Sequence, residues 1–332
     1  MSEQPAPNVV GGLMVSQPVG EEAYGVEETG LKKRVWVETK QLWHLVGPSI
    51  FGRICAATFA VVTQAFAGHL GDVELASISI VNTVVVGFTF GLVMGMATSG
   101  VMICLENWYY RILVLMTGHL KNSTLALDAL LVCMNVNAWE LMIPLAFFAA
   151  TGVRVSNELG AGNGKGAKFA TKVSVVQSLL IGIFFSLLII IFHHKLAMIF
   201  SSSNNVIEAV DKLSYFLALT ILFNSVQPVL SGVAVGSGWQ SWVAYINIGC
   251  YYFIGIPIGL LLGRVFDFGV KGIWGGMIFG TATQTAILTV ITILCDWEKE
   301  AQKAVKHVEN WSSPKADDQR NLGGLLSTGQ AG

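Results

Sequence analysis

The sequence predicts an all-α membrane protein, a polytopic bundle of about eight transmembrane helices, each needing roughly 20 apolar residues to cross the bilayer. Three observations carry this. Only 12% of the 332 residues are charged, against about 25% in a typical soluble domain, whose surface they cover. Mean hydropathy is +0.61. The apolar residues fall in long runs, near 45–67, 76–97, 99–118, 127–150, 173–192, 213–235, 243–263 and 273–295. A net charge of -1 offers no basic surface for nucleic acid. The five cysteines, Cys55, Cys104, Cys133, Cys250 and Cys295, lie in or at the ends of apolar runs without C-x-x-C spacing, and read as small core hydrophobes.

Before the first run, residues 1–40 form a polar tail without the basic start and apolar stretch of a secretory signal. After the last, residues 298–332 read as a second polar, cytosolic tail. Lysine and arginine set the orientation. Thirteen fall on one side of the proposed spans and five on the other, with Arg53 and Arg111 inside spans, so both termini are expected in the cytoplasm. This topology puts the sequon Asn122-Ser123-Thr124 outside, where it is either a glycosylation site or a chance match.

The chain repeats itself. Gly68-His69-Leu70 recurs as Gly118-His119-Leu120, and with three extra residues in the second turn Ala76, Asn82 and Ala97 pair with Ala129, Asn135 and Ala150. Duplicated helix sets are a common construction for secondary transporters, with the substrate between the halves. The second copy runs on into a polar loop, Gly152 to Lys165. In the first copy Thr98 passes through Ser99-Gly100 straight into the next apolar run. Ala76 to Gly118 as one helix would measure about 65 Å, roughly twice the bilayer, so the chain must break near Ser99-Gly100, and the short connection implies removed sequence.

Several stretches resemble one family: Trp43-His44-Leu45-Val46-Gly47-Pro48, Gln64-Ala65-Phe66-Ala67-Gly68-His69-Leu70-Gly71, Cys104-Leu105-Glu106 with Trp108-Tyr109, Arg154-Val155-Ser156-Asn157-Glu158-Leu159-Gly160-Ala161-Gly162, Gln227-Pro228-Val229-Leu230-Ser231-Gly232, Gly238-Trp239-Gln240 and Lys271-Gly272-Ile273-Trp274-Gly275-Gly276. They are similar to plant multidrug and toxic compound extrusion (MATE, DETOXIFICATION) proteins and run in family order over residues 40–305. The resemblance implies twelve helices in two six-helix lobes around a central cavity, and export of organic solutes or xenobiotics in exchange for protons or sodium. It assigns residues 41–98 to the first two helices of an incomplete N-terminal lobe and 99–297 to a complete six-helix C-terminal lobe, with four N-lobe helices missing at the Thr98-Ser99 junction. Loss of an even number of spans preserves the orientation of the later helices.

Glu106 is the sharpest candidate. A charged carboxylate inside a span costs about 2.5–3.5 kcal/mol on insertion scales, and a carboxyl that is neutral when buried and charged when hydrated suits proton exchange. The resemblance puts a coupling acid at the same position; the competing reading is an ion pair with Arg111, five residues on. Asn135 and Trp139, four apart on one helix face, suit a cavity for flat or cationic organic solutes, or else mediate helix packing. Asn224 and Gln227 are the further cavity candidates, with Gln227-Pro228 kinking its helix. Gln64 and Asn82 read as packing amides, and Asn137 and Glu140 follow Asn135 without an assigned partner. His193 and His194 point to different faces with no acid at ligand spacing, so no metal is expected. Gly160-Ala161-Gly162-Asn163-Gly164-Lys165-Gly166 lacks phosphate-loop spacing, and no nucleophile–base set suggests an enzyme.

The expected function is therefore proton-coupled antiport of an organic small molecule, cationic or flavonoid-like, across the vacuolar or plasma membrane, with the proton gradient as energy source and no bound cofactor. The alternative is a shortened, transport-incompetent membrane protein, from splicing or a gene model, that associates with full-length relatives or with itself.

Overall fold

A computed structural model describes residues 30–70, 100–118, 123–200 and 203–312. The second expected span, 76–97, with Asn82 and the Thr98-Ser99 junction, lies outside the described residues, as do His119, Asn122 and both distal tails; so do the side chains of Gln64 and Cys104. The described chain forms α1 (Leu31–Leu70), α2 (Gly100–Gly118), α3 (Ser123–Gly160), α4 (Gly164–Phe200), α5 (Asn204–Gly236), α6 (Gln240–Val265), α7 (Gly269–Leu294) and α8 (Trp297–Ser312). Among the described residues α3 to α7 are the five helices long and apolar enough to cross a membrane. α1 and α2 cover the first and third expected spans.

At its centre stands α5. Its residues from Asn224 to Ala234 are buried almost without a break, whereas α4 turns Val176, Leu180, Phe184, Leu187 and Ile191 outward. In lipid, apolar side chains gain nothing by leaving the hydrocarbon, so helices associate through close backbone approach and hydrogen bonds. The α3–α5 crossing is of this kind. A Cβ at Gly232 would overlap the Phe148 carbonyl oxygen, and one at Gly236 would stand 2.5 Å from that of Gly152. α4 joins them where the Ser178 hydroxyl donates to the Ser225 carbonyl at 2.6 Å.

Several expected boundaries move. α1 begins at Leu31, inside the expected polar tail, because Glu38 is buried against α3 and not solvated. The expected loop from Gly152 to Lys165 is mostly helix: α3 continues to Gly160, held by Arg154, which bonds Glu38 through two nitrogens at 2.9 Å and Glu158 at 2.8 Å. Only Ala161–Asn163 turn. Gly162, at φ 76°, takes the left-handed conformation, with its N–H on the Leu159 carbonyl and that of Asn163 on Glu158, which closes the helix end. The Asn163 side chain then caps α4 by accepting from Gly166 N–H at 2.8 Å.

α6 carries two π-helical stretches, Ile248–Gly255 and Leu261–Val265, on either side of the Pro257 turn. Pro257 has no N–H and its ring crowds the preceding turn, and widening of the helix absorbs both. The expected C-terminal tail is partly helical as well. Asp296 caps α8 by accepting from Lys299 N–H, and Trp297 and Ala301 are buried with Val155, Leu159, Ala167 and Val233. Isolated charges in Trp297–Ser312 hid an amphipathic helix whose apolar face the α3–α4 turn covers.

Replacing Gly236 by Val is expected to lower the thermal midpoint in detergent, at a cost of about 1–3 kcal/mol from overpacking, whereas Gly160→Ala, with open space around its Cα, leaves it unchanged. Burial, reinforced by the Glu300 and Asp296 carboxylates, pushes the Cys295 thiol up to about 11. Since only the thiolate reacts, alkylation of Cys295 is expected to quicken about tenfold per pH unit from neutrality up to that value, measured by mass spectrometry.

Candidate functional site

The inward face of α2 carries Met102, Glu106, Tyr109, Leu113 and Thr117, spaced three or four residues apart. Tyr109 anchors it, donating to the Met277 carbonyl at 2.8 Å and stacking on Tyr251 at 4.3 Å. One turn below, Glu106 meets the side-chain amide of Gln227, which hydrogen-bonds its carboxyl and also donates to Ser231 Oγ at 3.1 Å. Next to them the Tyr110 hydroxyl donates to Asn224 Oδ1 at 2.7 Å, and Asn224 Nδ2 donates to Asn137 Oδ1 at 3.2 Å. Three helices thus contribute to one polar node: α2 with Glu106 and Tyr110, α5 with Asn224 and Gln227, α3 with Asn137.

α5 presents Asn224, Gln227 and Ser231 together because they recur at helical spacing on one face. Pro228, also in this helix, lacks the N–H that would reach the Asn224 carbonyl, so the backbone is locally loosened where the polar side chains converge. A cavity of ≈ 10 Å³, room for about one water, adjoins the node between Tyr110, Thr220, Trp274 and Thr281. A second polar chain lies nearby: Gln284 donates to Asn247 Oδ1 at 3.1 Å, and Asn247 donates to the Met102 carbonyl at 3.3 Å.

The candidates separate into two groups. Glu106, Asn224 and Gln227 come together, with Asn224 and Gln227 each 1% exposed and engaged inside the bundle. Asn135 and Trp139 share a face as expected but lie on the outside of α3, Trp139 being 49% exposed. They do not meet the Glu106 node. Glu106 makes no ion pair with Arg111 among the described residues. His193 and His194 do find an acid: their Nδ1 atoms stand 2.7 and 2.9 Å from the two oxygens of Asp211 on α5. Antiparallel pairing of α4 and α5 creates this cluster across a turn, which spacing within one helix could not reveal. Tyr110, Ser231, Asn247 and Gln284 were missed, although Asn247 and Gln284 stand inside apolar spans, a signal that intramembrane polar side chains always give.

The comparisons with known proteins bear on this architecture. The MatE family profile matches residues 99–261. Protein DETOXIFICATION 27 of Arabidopsis thaliana is 42% identical over 455 residues, an alignment taking in 86% of this chain and 94% of that protein. The chain belongs to the MATE family. Within it, Protein DETOXIFICATION 36 of Arabidopsis thaliana is 54% identical over 215 residues, covering 65% of this chain and 43% of that protein. The crystal structure of the eukaryotic MATE transporter AtDTX14 superposes with a TM-score of 0.60 at 37% identity, over 63% of this chain and 46% of that one. An outward-facing multidrug resistance MATE family transporter of the MOP superfamily matches with a TM-score of 0.53 at 13% identity, over 61% and 46%, a likeness of fold alone.

The chain spans about half the length of these solved MATE structures and of the relative matched over 215 residues. Against DETOXIFICATION 27, 86% of 332 residues is about 286, so roughly 170 of the 455 aligned positions have no counterpart in this chain. An all-helical, multi-pass MATE fold, present only in part, is therefore what the described residues form.

Tyr110→Phe, which removes the hydroxyl donating to Asn224, is expected to destabilise by about 1–2 kcal/mol, read as a lower thermal midpoint in detergent, because Asn224 Oδ1 is left buried without its donor.

Proposed function

We propose that this protein exports organic small molecules across a membrane in exchange for protons, with Glu106 as the proton-binding group. The observation that carries the reading is the position of Glu106: an acid within α2, held by Gln227 beside the Tyr110–Asn224–Asn137 hydrogen bonds. Amide and hydroxyl partners steady a carboxyl without neutralising it permanently as a guanidinium would. The proton can then come and go. Protonated, Glu106 loses its attraction for a cationic solute, and release is favoured; deprotonated, it regains it. Family membership supports the transport class, since the solved relative AtDTX14 is a MATE transporter. The exposed Asn135–Trp139 face offers an indole and an amide to a flat or cationic solute, by ring–cation contact and hydrogen bonding.

A second reading has its own observation, the roughly 170 relative positions without counterpart here. Alternating access in two-lobed transporters rocks one lobe against the other around the site. A chain without those positions performs that motion only by pairing with a second copy or a longer relative. In that case this protein is an assembly partner with no flux of its own.

Reconstituted alone into vesicles, the wild-type chain is expected to move ethidium against a pH gradient, and Glu106→Gln to abolish that movement while leaving the protein folded by circular dichroism. No gradient-dependent movement by the wild type favours the assembly-partner reading; undiminished movement by the variant removes Glu106 from the mechanism.

A further inference from the structure

A second carboxyl lies close to the same node and has no task in the reading above. Glu140 is 6% exposed, and neither of its oxygens has a hydrogen-bond partner among the described residues. It is not stranded by accident of helix rotation, since it lies on the buried stripe of α3 with Cys133, Asn137, Pro144 and Phe147 at helical spacing. Asn137, one turn away, is the amide that accepts from Asn224. Tyr110, whose hydroxyl closes the other side of Asn224, is within electrostatic reach of both Glu106 and Glu140.

Burying a charged carboxylate with no donor costs far more than burying the neutral acid, so an unpartnered pair of oxygens marks the protonated form. The charged form needs a counter-charge or water. α1 runs antiparallel to α3, with Glu38 on Arg154 and with Leu42 and Val46 clustered with Ala146, Phe147 and Ala150. Continued along both helices, that register brings Arg53 to the level of Glu140. Of the ionisable groups on neighbouring helices, Tyr110 of α2 lies within electrostatic reach of Glu140, Glu106 lies beyond Tyr110, and Arg53 of α1 stands at its level; α5 offers Asn224 and Gln227, and α4 has no ionisable side chain between Lys172 and His193.

We propose that Glu140 is a second proton-binding carboxyl of this protein, one helical turn from Asn137 and so beside the Tyr110–Asn224–Asn137 hydrogen bonds that adjoin Glu106. The step is a simple one: a proton from the aqueous phase adds to the carboxylate and gives the neutral acid, and the reverse returns it. As a part of transport this rests on the exporter reading, and the cycle then carries two protons per solute.

The test uses the full chain in lipid nanodiscs, with pH-difference infrared spectra of the carboxyl C=O stretch, which need no transport. The wild type is expected to give two protonated-carboxyl bands that fade as pH rises, one missing in Glu106→Gln, the other in Glu140→Gln, and both in the double variant. A Glu140→Gln spectrum that keeps both bands overturns the proposal. Glu140→Asp guards against a misfolded amide variant: its second band should shift in frequency, and an unshifted band also overturns the proposal. In vesicles with ethidium and a pH-sensitive dye, protons moved per cation should fall from two to one in Glu140→Gln, and an unchanged ratio counts against it. A wild type that moves no ethidium defeats the exporter reading alone, and the infrared bands still decide whether Glu140 titrates.

Discussion

Backbone and side-chain polar groups in hydrocarbon have no water to turn to, and this one constraint explains why α5 is built as it is. A helix surrounded by others could be uniformly apolar, yet α5 buries Ser225, Asn224, Gln227 and Ser231 in succession. Their partners come from the same helix and its neighbours: Tyr110 of α2 and Asn137 of α3 on Asn224, Ser231 on Gln227, the Leu222 carbonyl on the Ser225 hydroxyl, and Ser178 of α4 on the Ser225 carbonyl. The same helix keeps glycine where α3 crosses it, so the backbones come near enough for these short side chains to reach. Packing and polarity are therefore one arrangement. The site of proposed chemistry is the place where three helices must satisfy one another.

That arrangement also explains the division between buried and exposed candidates. Asn224 and Gln227 are buried and hydrogen-bonded inside the bundle. Asn135 and Trp139 sit on the outside of α3 and are free to face a solute or a second lobe. The Asn137–Glu140 stripe lies on the next face round the same helix. Proton and solute would then be handled on adjacent faces of α3, a turn apart.

Much of this was legible in the residues. Long apolar runs gave the order of α3 to α7, because hydrophobic length is imposed by the bilayer and needs no tertiary information. Glu106, Asn224 and Gln227 stood out for a related reason: a polar residue in an apolar run has to be answered somewhere. What it is answered by cannot be read from one helix. The Tyr110–Asn224 and His193–Asp211 contacts join residues 114 and 18 positions apart and exist only once helices have paired. Helix ends were hidden too. The Gly152–Asn163 stretch looks like a loop by composition, but Arg154 between Glu38 and Glu158 makes helix the better solution.

The small helix after α7 has a practical side. Its Trp297 lies against the first turn of α4, so near that a Cβ at Gly164 would stand 2.6 Å from the Trp297 carbonyl oxygen, and it roofs Val155, Leu159, Ala167 and Val233. A recombinant version cut at Cys295 would strip that roof and leave greasy residues at a helix turn where no lipid tails are available to cover them. Affinity handles and fluorescent fusions are best joined beyond Ser312, so that the buttress stays in place.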